Sequence, residues 1–388
     1  MEKAEQIRLL KQLLSHLDNG TNVDAGGLRR NPTEVYTCPD LARRERKAFF
    51  RSYPQVIGLS GDLPRPGSFV TGSDLGAPML AVRDDEGTFR AFLNVCRHRG
   101  SIVETRPRGT GSKFSCPFHG WTYSNRGELV GVPKPHHFGS IDRSCHGLIS
   151  LPAVEKYGFL WVHPDPAGVI DPEALLGGLA PEFESWDFGK LTFTGDNSYD
   201  VRLNWKLAMD TFGETYHFPV LHRDTLAKVF YGNVQCYDVF DRNHRMILCV
   251  RDIDLLREQP ESSWQITQGG FPVYYLFPNV QVNVGPSGVT LVRVYPDPDD
   301  VGRSVSRVSF YFDPATLAEE PHRVAERLQI FGNIIRDEDY AVAATAQLGA
   351  DSGVQDYVLF GRNEPALHHY HNTYRAALGM EPLELIKD

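Results

Sequence analysis

The sequence lacks the long apolar runs and the excess positive charge that mark two large classes of protein. Its 388 residues contain no stretch of eighteen or more apolar residues, and the nearest to one, FPVYYLFPNVQVNVG, is interrupted by Pro278, Asn279, Gln281 and Asn283. A membrane-spanning helix is therefore not expected. Lys and Arg number 40 against 49 Asp and Glu, which gives a net charge of −9. This balance disfavours nucleic acid as a partner.

Cysteine is scarce as well, with six residues and no CXXC pair. Cys38, Cys145, Cys236 and Cys249 are scattered, which is typical of free thiols or small core residues. The N-terminal segment MEKAEQIRLLKQLLSHLDNG is charged throughout and lacks the apolar centre of a signal peptide, so it predicts a surface helix that ends at Gly20. We expect a cytoplasmic protein without disulfides.

The other two cysteines belong to a repeated loop motif. Cys96-X-His98 is followed, after seventeen residues, by Cys116-X2-His119. One zinc ion could bind two Cys and two His. Two loops that each offer one thiolate and one imidazole favour a Rieske [2Fe–2S] cluster instead, in which the thiolates hold one iron and the imidazoles the other. Gly100 and Gly120 follow the two motifs, where each loop must turn.

The pattern of short and long elements predicts two domains after an N-terminal helical segment, residues 1–48. Short strands separated by Gly-rich turns indicate a compact antiparallel β domain over residues 49–165. Residues 164–186 break that pattern with Pro and Gly. Further strands and a long helix over 322–348 then predict an α+β domain, residues 166–388, in which the helix lies across an antiparallel sheet. We expect residues 1–48 to pack on this second domain.

A second set of metal-binding residue types follows Asn204, which is a candidate N-cap. WKLAMDTFGETYHF predicts one helix that ends at Pro219, with Asp210, Glu214 and His217 on a single face. His222 follows the proline, where the chain can fold back toward His217. Two His and one carboxylate form the facial triad of non-haem Fe(II) sites.

The long helix supplies candidates for the third ligand: Asp337, Glu338 and Asp339. Its predicted buried stripe consists of Val324, Leu328, Phe331, Ile335 and Val342. Asp337 falls opposite this stripe and is predicted to be solvated. Periodicity leaves both Glu338 and Asp339 open.

With these motifs the chain resembles the large (α) subunits of Rieske non-haem iron oxygenases, the aromatic ring-hydroxylating family. The resemblance lies in AFLNVCRHRGSIV, CPFHGWTYSNRGEL, NWKLAMDTFGETYHFPVLH, RDEDYAVAATAQLG and GRNEPALHHYHNTYRAAL. It implies an α+β fold with an N-terminal Rieske antiparallel β domain followed by a helix-grip catalytic domain. It also implies two sets of metal ligands: Cys96, His98, Cys116 and His119 for the cluster, and His217, His222 and Asp339 for Fe(II).

The family's head-to-tail trimers imply a role for Glu214 as well. In such trimers a carboxylate bridges a cluster His of one subunit to an iron His of its neighbour. Many ring dioxygenases have Asp at the position of Glu214, whereas chains resembling choline and carnitine monooxygenases have Glu. Asp210, one turn earlier, either tunes this bridge or is a solvated helix residue.

Electron supply is predicted to come from a separate protein. Arg97, Arg99, Arg106, Arg108, Lys113 and Arg126 surround the cluster motif against Glu104 alone, which suits an acidic ferredoxin or flavin reductase. Ordinary loop charges are the alternative. No GXGXXG follows a strand, so a reductase would oxidise NAD(P)H. The sequence does not decide whether a separate β subunit accompanies this chain.

The expected function is that of a terminal oxygenase, which activates O2 at Fe(II) to hydroxylate an aromatic or similar small organic substrate. The first alternative is a monooxygenase that demethylates or cleaves a quaternary amine, and the non-enzymatic alternative is a Rieske electron carrier or metal-stabilised binding protein. Phe212, Tyr274, Leu276 and Phe277 are candidates to line an apolar pocket, with plain core as the alternative.

Overall fold

The computed structural model describes residues 1–387, which form two compact units. The smaller unit contains residues 46–175 and 187–193, and the larger contains residues 1–45, 176–186 and the chain from residue 194 onward. The units are thus assembled from more segments than the three consecutive ranges expected from the sequence. Among the described residues, no helix combines the length and the apolar character needed to cross a membrane.

The strands are listed here in chain order: β1 (Leu28–Pro32), β2 (Gln55–Leu59), β3 (Ser68–Gly72), β4 (Met79–Arg83), β5 (Phe89–Leu93), β6 (Arg108–Thr110), β7 (Lys113–Ser115), β8 (Thr122–Ser124), β9 (Leu129–Gly131), β10 (Ser150–Leu151), β11 (Ala153–Lys156), β12 (Phe159–Val162), β13 (Thr192–Val201), β14 (Phe230–Phe240), β15 (Asn243–Val250), β16 (Gly270–Leu276), β17 (Val280–Val284), β18 (Gly288–Pro296), β19 (Ser304–Phe312), β20 (Tyr357–Phe360) and β21 (Leu385–Ile386).

The α-helices are α1 (Lys3–Asn19), α2 (Pro39–Glu45), α3 (Pro172–Leu176), α4 (Ala180–Trp186), α5 (Trp205–Asp210), α6 (Phe218–Leu221), α7 (Ile266–Gly269), α8 (Pro314–Glu319), α9 (Pro321–Ile334), α10 (Tyr340–Asp351) and α11 (Pro365–Ala377). A π-helical turn, Ile335–Asp339, joins α9 directly to α10.

The smaller unit is built from three small sheets. Their strand orders are β10-β5-β4-β3-β6, β11-β12-β2 and β7-β8-β9, and all neighbouring strands in them are antiparallel. Its core contains Phe69, Phe92, Phe114 and Trp121 together with the two motif cysteines. The predicted antiparallel β domain is therefore confirmed.

The larger unit contains a seven-stranded sheet of order β13-β19-β18-β17-β16-β15-β14, antiparallel from β14 through β19. The sheet, followed by the long helical segment from α9 to α10, confirms the predicted α+β class. Helix α1 also belongs to this unit and ends, as predicted, with Gly20 in the left-handed conformation. It lies at the surface as predicted, with one exposed face, and its other face buries Leu9, Leu10 and Leu13 against the β14–β15 region.

The predicted helix over 205–218 is wrong in its extent. Asn204 does cap it, accepting a hydrogen bond from Lys206 N, but α5 ends at Asp210. The chain then turns through Gly213, where a side chain would collide with Leu367 and Tyr370. Pro219 lies in the first turn of a new helix, α6, where its missing N–H costs nothing. Helical spacing alone therefore did not reveal the break.

The long helix is confirmed, but its predicted buried stripe is only partly right. Val324 and Ile335 are buried, whereas Val342 is half-exposed. The π turn between them explains the difference, because a wider turn shifts the face that later residues present.

Candidate metal centres

The two Cys–His loops have the same backbone design. In each loop the glycine four residues after the cysteine donates its N–H to the cysteine carbonyl, at 2.9 Å for both Gly100 and Gly120. Their φ angles are +77° and +71°, a region that favours glycine. Each cysteine N–H in turn bonds the carbonyl that closes the loop, Ser101 or Trp121, at 2.8 Å. The repeated sequence motif thus becomes two matching hairpin tips.

The histidines of the two tips lie next to each other, and the two cysteines belong to one buried core cluster. Cys96 and Cys116 are buried free thiols, and the rings of His98 and His119 lie with centroids 4.6 Å apart. Trp121 stacks on His98 at 4.9 Å. Nδ1 of His98 is buried, and within residues 1–387 no hydrogen-bonding partner reaches it. Two buried free thiols and a buried imidazole nitrogen without a partner among the described residues are the donor types that a [2Fe–2S] cluster of this kind needs.

Tyr123 is a further residue of this centre that the motif did not reveal. Its hydroxyl lies 3.4 Å from Cys96 Sγ and accepts the Arg97 N–H at 2.9 Å. Burial raises the pKa of Tyr123, so the phenol stays protonated and can donate to the sulfur. Hydrogen bonds to the sulfurs tune cluster potentials.

The structure brings His217, His222 and Asp339 together in the larger unit. Their ligand atoms all lie within 4.8 Å of one another. Asp339 Oδ1 is 3.1 Å from His222 Nε2 and 3.5 Å from His217 Nε2, and both Asp339 and His222 are buried. Two imidazoles and one carboxylate on one side of a point leave other coordination positions open, which fits a mononuclear Fe(II) centre.

Two further carboxylates hold the outer nitrogens of the two imidazoles. Glu214 hydrogen-bonds His217 Nδ1, and Glu338 Oε2 lies 2.6 Å from His222 Nδ1. Thr225 Oγ1 donates to the same Glu338 oxygen at 2.7 Å. Glu338 and Asp339, which periodicity left open, are therefore placed on opposite sides of His222. A carboxylate on the outer nitrogen fixes the tautomer and orientation of a ligand imidazole.

The charges of the triad depend on each other. Burial by itself lowers the pKa of His217, but the carboxylates of Asp339 and Glu214 outweigh it and raise that pKa to about 9. Burial raises the pKa of Asp339, and its bonds to the two His hold it below the usual value overall. A buried carboxylate that stays ionised is a competent ligand for a divalent cation.

Asp210 lies in a buried hydrogen-bond network, so the solvated alternative is wrong. Tyr36 donates its hydroxyl hydrogen to Asp210 Oδ2 at 2.6 Å, and His371 Nε2 lies 2.9 Å from Oδ1. Burial and the Asp210 charge raise the pKa of Tyr36 well above its usual value. Tyr36 and His371 come from distant parts of the chain, and nothing in the sequence linked them to Asp210.

The predicted solvation of Asp337 is confirmed, because this residue is exposed and, among the described residues, bonds only its neighbour Arg336.

The positive charge around the cluster motif is weaker than its composition indicated, because three of the six basic residues pair with carboxylates. Arg106 pairs with Glu104 at 2.7 Å, Arg108 with Asp62 and Arg126 with Glu86.

A cavity of about 440 Å³ opens onto the triad and is mostly apolar. Of the four candidate lining residues, Phe212 lines it, whereas Tyr274, Leu276 and Phe277 are buried elsewhere in the core. Gln281 and Asn283 line it from β17, since alternation along a strand turns every second side chain to one face. The phenylalanines of the lining are Phe212, Phe218, Phe230, Phe271, Phe310, Phe312 and Phe331.

Two family models match the chain. Residues 53–153 match the Rieske [2Fe–2S] domain, and residues 188–380 match the catalytic domain of the ring-hydroxylating α subunit. The chain is 26% identical over 354 residues to choline monooxygenase of Spinacia oleracea, a match that covers 88% of this chain and 76% of the relative.

Solved structures agree on the fold. The quaternary ammonium Rieske monooxygenase CntA, solved with L-carnitine, has a TM-score of 0.78 at 19% identity and covers 92% of this chain and 97% of its own. Naphthalene 1,2-dioxygenase with indole has a TM-score of 0.70 at 19% identity, covering 92% and 93%.

The β domain with its paired Cys–His tips and the second domain with its buried triad define an iron-dependent oxygenase. The chain belongs to the Rieske non-haem iron oxygenases, as a large (α) subunit. Its cofactors are accordingly a Rieske [2Fe–2S] cluster and a mononuclear iron.

Proposed function

We propose that this chain is the terminal oxygenase of a multicomponent system that hydroxylates a largely apolar organic substrate, aromatic or of similar size. The observation that carries the proposal is the joining of the triad to an apolar cavity in one unit. Cys96, His98, Cys116 and His119 would hold the cluster, and His217, His222 and Asp339 the Fe(II). When bound, the cluster supplies single electrons, and Fe(II) with open coordination positions supplies the activation of O2.

The protein's own residues orient the two histidines and exclude water from the cavity. Glu214 and Glu338 hydrogen-bond Nδ1 of the two histidines, so each Nε2, on the side of Asp339, is the nitrogen that would bind the iron. The phenylalanine side chains keep water from the reacting carbon and fix the substrate by shape. Glu214 keeps 13% of its side-chain surface exposed, and we propose it as the bridge to a neighbouring subunit in a trimer.

A quaternary amine is the second candidate substrate. The relatives support it, since choline, carnitine and glycine betaine monooxygenases match at 22–31% identity. Phenylalanine rings can also hold a quaternary ammonium by cation–π attraction. The cavity lining carries an arginine and, apart from Glu214 and Asp339 at the triad, no carboxylate among its described residues. That charge pattern favours an apolar or anionic substrate over a cation.

Reconstitution with iron, sulfide and a flavin reductase would test the proposal. We expect three irons per chain and O2 uptake that depends on substrate and NADH, with the oxygen found in the product by mass. Two irons per chain without O2 uptake would identify an electron carrier and contradict the proposal. Comparing naphthalene with carnitine as substrates would separate the two substrate classes.

We propose a homotrimer that receives electrons from a ferredoxin or a flavin reductase, with exposed Arg97, Arg99 and Lys113 as the contact charges. Size measurement in solution and the salt dependence of the electron-transfer rate would test the two points. The cytoplasmic location also stays a prediction of the sequence.

A further inference from the structure

The cavity follows one face of helix α9 rather than surrounding the triad alone. The helical residues that line it are Arg327, Ile330, Phe331, Ile334, Ile335 and Asp339. Arg327 and Asp339 are twelve positions apart, which corresponds to about 18 Å of axis at the rise of an α-helix. The cavity is therefore elongated, with the triad at one end.

Arg327 lies at the other end, among exposed residues at the cavity mouth. Its Nη1 donates to Ser287 Oγ at 2.8 Å, and Ser287 lies in the loop between β17 and β18. No other Lys or Arg occurs in the described part of the lining. Within residues 1–387 no carboxylate pairs with Arg327, so its other N–H groups are available to a ligand.

An arginine in this position has a definite chemical preference. Its guanidinium offers parallel N–H groups that match the two oxygens of a carboxylate, and it repels a cation. Ser287 holds the guanidinium at the mouth and can itself donate to an anion. The residues between this pair and the triad are apolar on the helix side, including Ile330, Phe331 and Ile334.

We propose that the substrate is an elongated apolar acid, whose carboxylate is bound by Arg327 and Ser287 while its far end lies at the triad. The inference rests on the proposed function, since it names the substrate class of the same cavity. Arg327 is then a specificity residue that sets which end of the molecule reaches the iron. Compact quaternary ammonium compounds lack the length to use both ends.

Binding of three matched probes to the full-length protein would test this by calorimetry. The probes are 6-phenylhexanoate, its methyl ester and 6-phenylhexyltrimethylammonium, which share one apolar body and differ in charge. We expect the acid to bind at least ten-fold more tightly than the ester, and the cation most weakly. Arg327→Gln should remove the preference for the acid and change the ester's Kd less than two-fold.

Arg336→Gln is the matched control, because Arg336 is an exposed arginine that follows α9 and bonds Asp337 outside the cavity. It should leave all three Kd values unchanged. Ser287→Ala should weaken binding of the acid probe by a smaller factor than Arg327→Gln does. In turnover, Arg327→Gln should raise KM for an oxidised acid far more than it lowers kcat.

Equal affinity for the three probes, no binding of the acid, or an unchanged preference in Arg327→Gln would overturn the inference. These outcomes are separable from failure of the proposed function. Acid-selective binding without any O2 uptake would support the Arg327 subsite and contradict the proposed oxygenase function. Oxidation of the acid that is unaffected by Arg327→Gln would support the oxygenase function and contradict the subsite.

Discussion

The two metal centres are built in different ways. The four cluster residues lie within 24 positions of one another on two matching tips, whose backbone hydrogen bonds are local. The triad joins His217 and His222 to an aspartate more than a hundred residues later, on a different helix. A local centre depends on its own loops, whereas an assembled centre depends on the packing of the whole unit. The two should therefore respond differently to single substitutions.

The largest effect is expected at the cluster tips. Cys116→Ser should abolish the visible absorption of the cluster and all turnover, because serine does not supply the buried thiolate of the proposed cluster site. Fe(II) binding by the triad should persist, since the triad lies in the other unit. Absorption spectra and iron counts measure both. Cys145→Ser, at an exposed thiol, is the control and should retain the colour.

His217→Ala should have the opposite pattern of effects, with the mononuclear iron lost and the cluster retained. We expect loss of the mononuclear iron and of nearly all O2 uptake, because removing one of the three proposed ligands leaves only two. The cluster spectrum should be unchanged. An exposed histidine, His322, provides the control substitution to Ala. Wild-type rates in His217→Ala would remove this residue from the proposed ligand set.

Glu338→Gln should have an intermediate effect, on the triad but not on the cluster. The amide keeps the shape but loses the negative charge next to His222 Nδ1, so Fe(II) affinity should fall about 10–100-fold. Competition with a chelator measures it. Asp337→Asn changes the neighbouring exposed carboxylate and should have no effect. If both variants bind iron equally well, Glu338 does not support the ligand.

Tyr123→Phe should give the smallest effect. Removing the hydroxyl near Cys96 Sγ deletes a hydrogen bond that favours the reduced, more negative cluster. The reduction potential should therefore fall by tens of millivolts, with the spectrum and iron content retained. Potentiometric titration checks this, and a potential that rises or stays constant would contradict a bond to the sulfur.

The same contrast explains what the sequence could predict. The cluster tips were predictable, since both ligand types and both glycines lie in short motifs. His217 and His222 were readable from a short segment too, although the assumed helix is broken at Asp210 and begins again at Phe218. Glu338 and Asp339 could not be separated, because periodicity assumes 3.6 residues per turn and the chain here forms a π turn.

Other features depended on distant contacts and left no local signal. Asp210 is buried only because Tyr36 and His371 reach it from other parts of the chain. Gln281 and Asn283 alternate with valines in the sequence, but which face meets a cavity follows from the neighbouring elements. Arg327 carried no motif at all.

The π turn at Ile335–Asp339 has one more consequence. Because it accommodates extra chain within a continuous helix, deleting a single residue there would swing the Asp339 side chain about 100° around the axis. The position of Asp339 beside His217 and His222 thus depends on the irregularity of the helix.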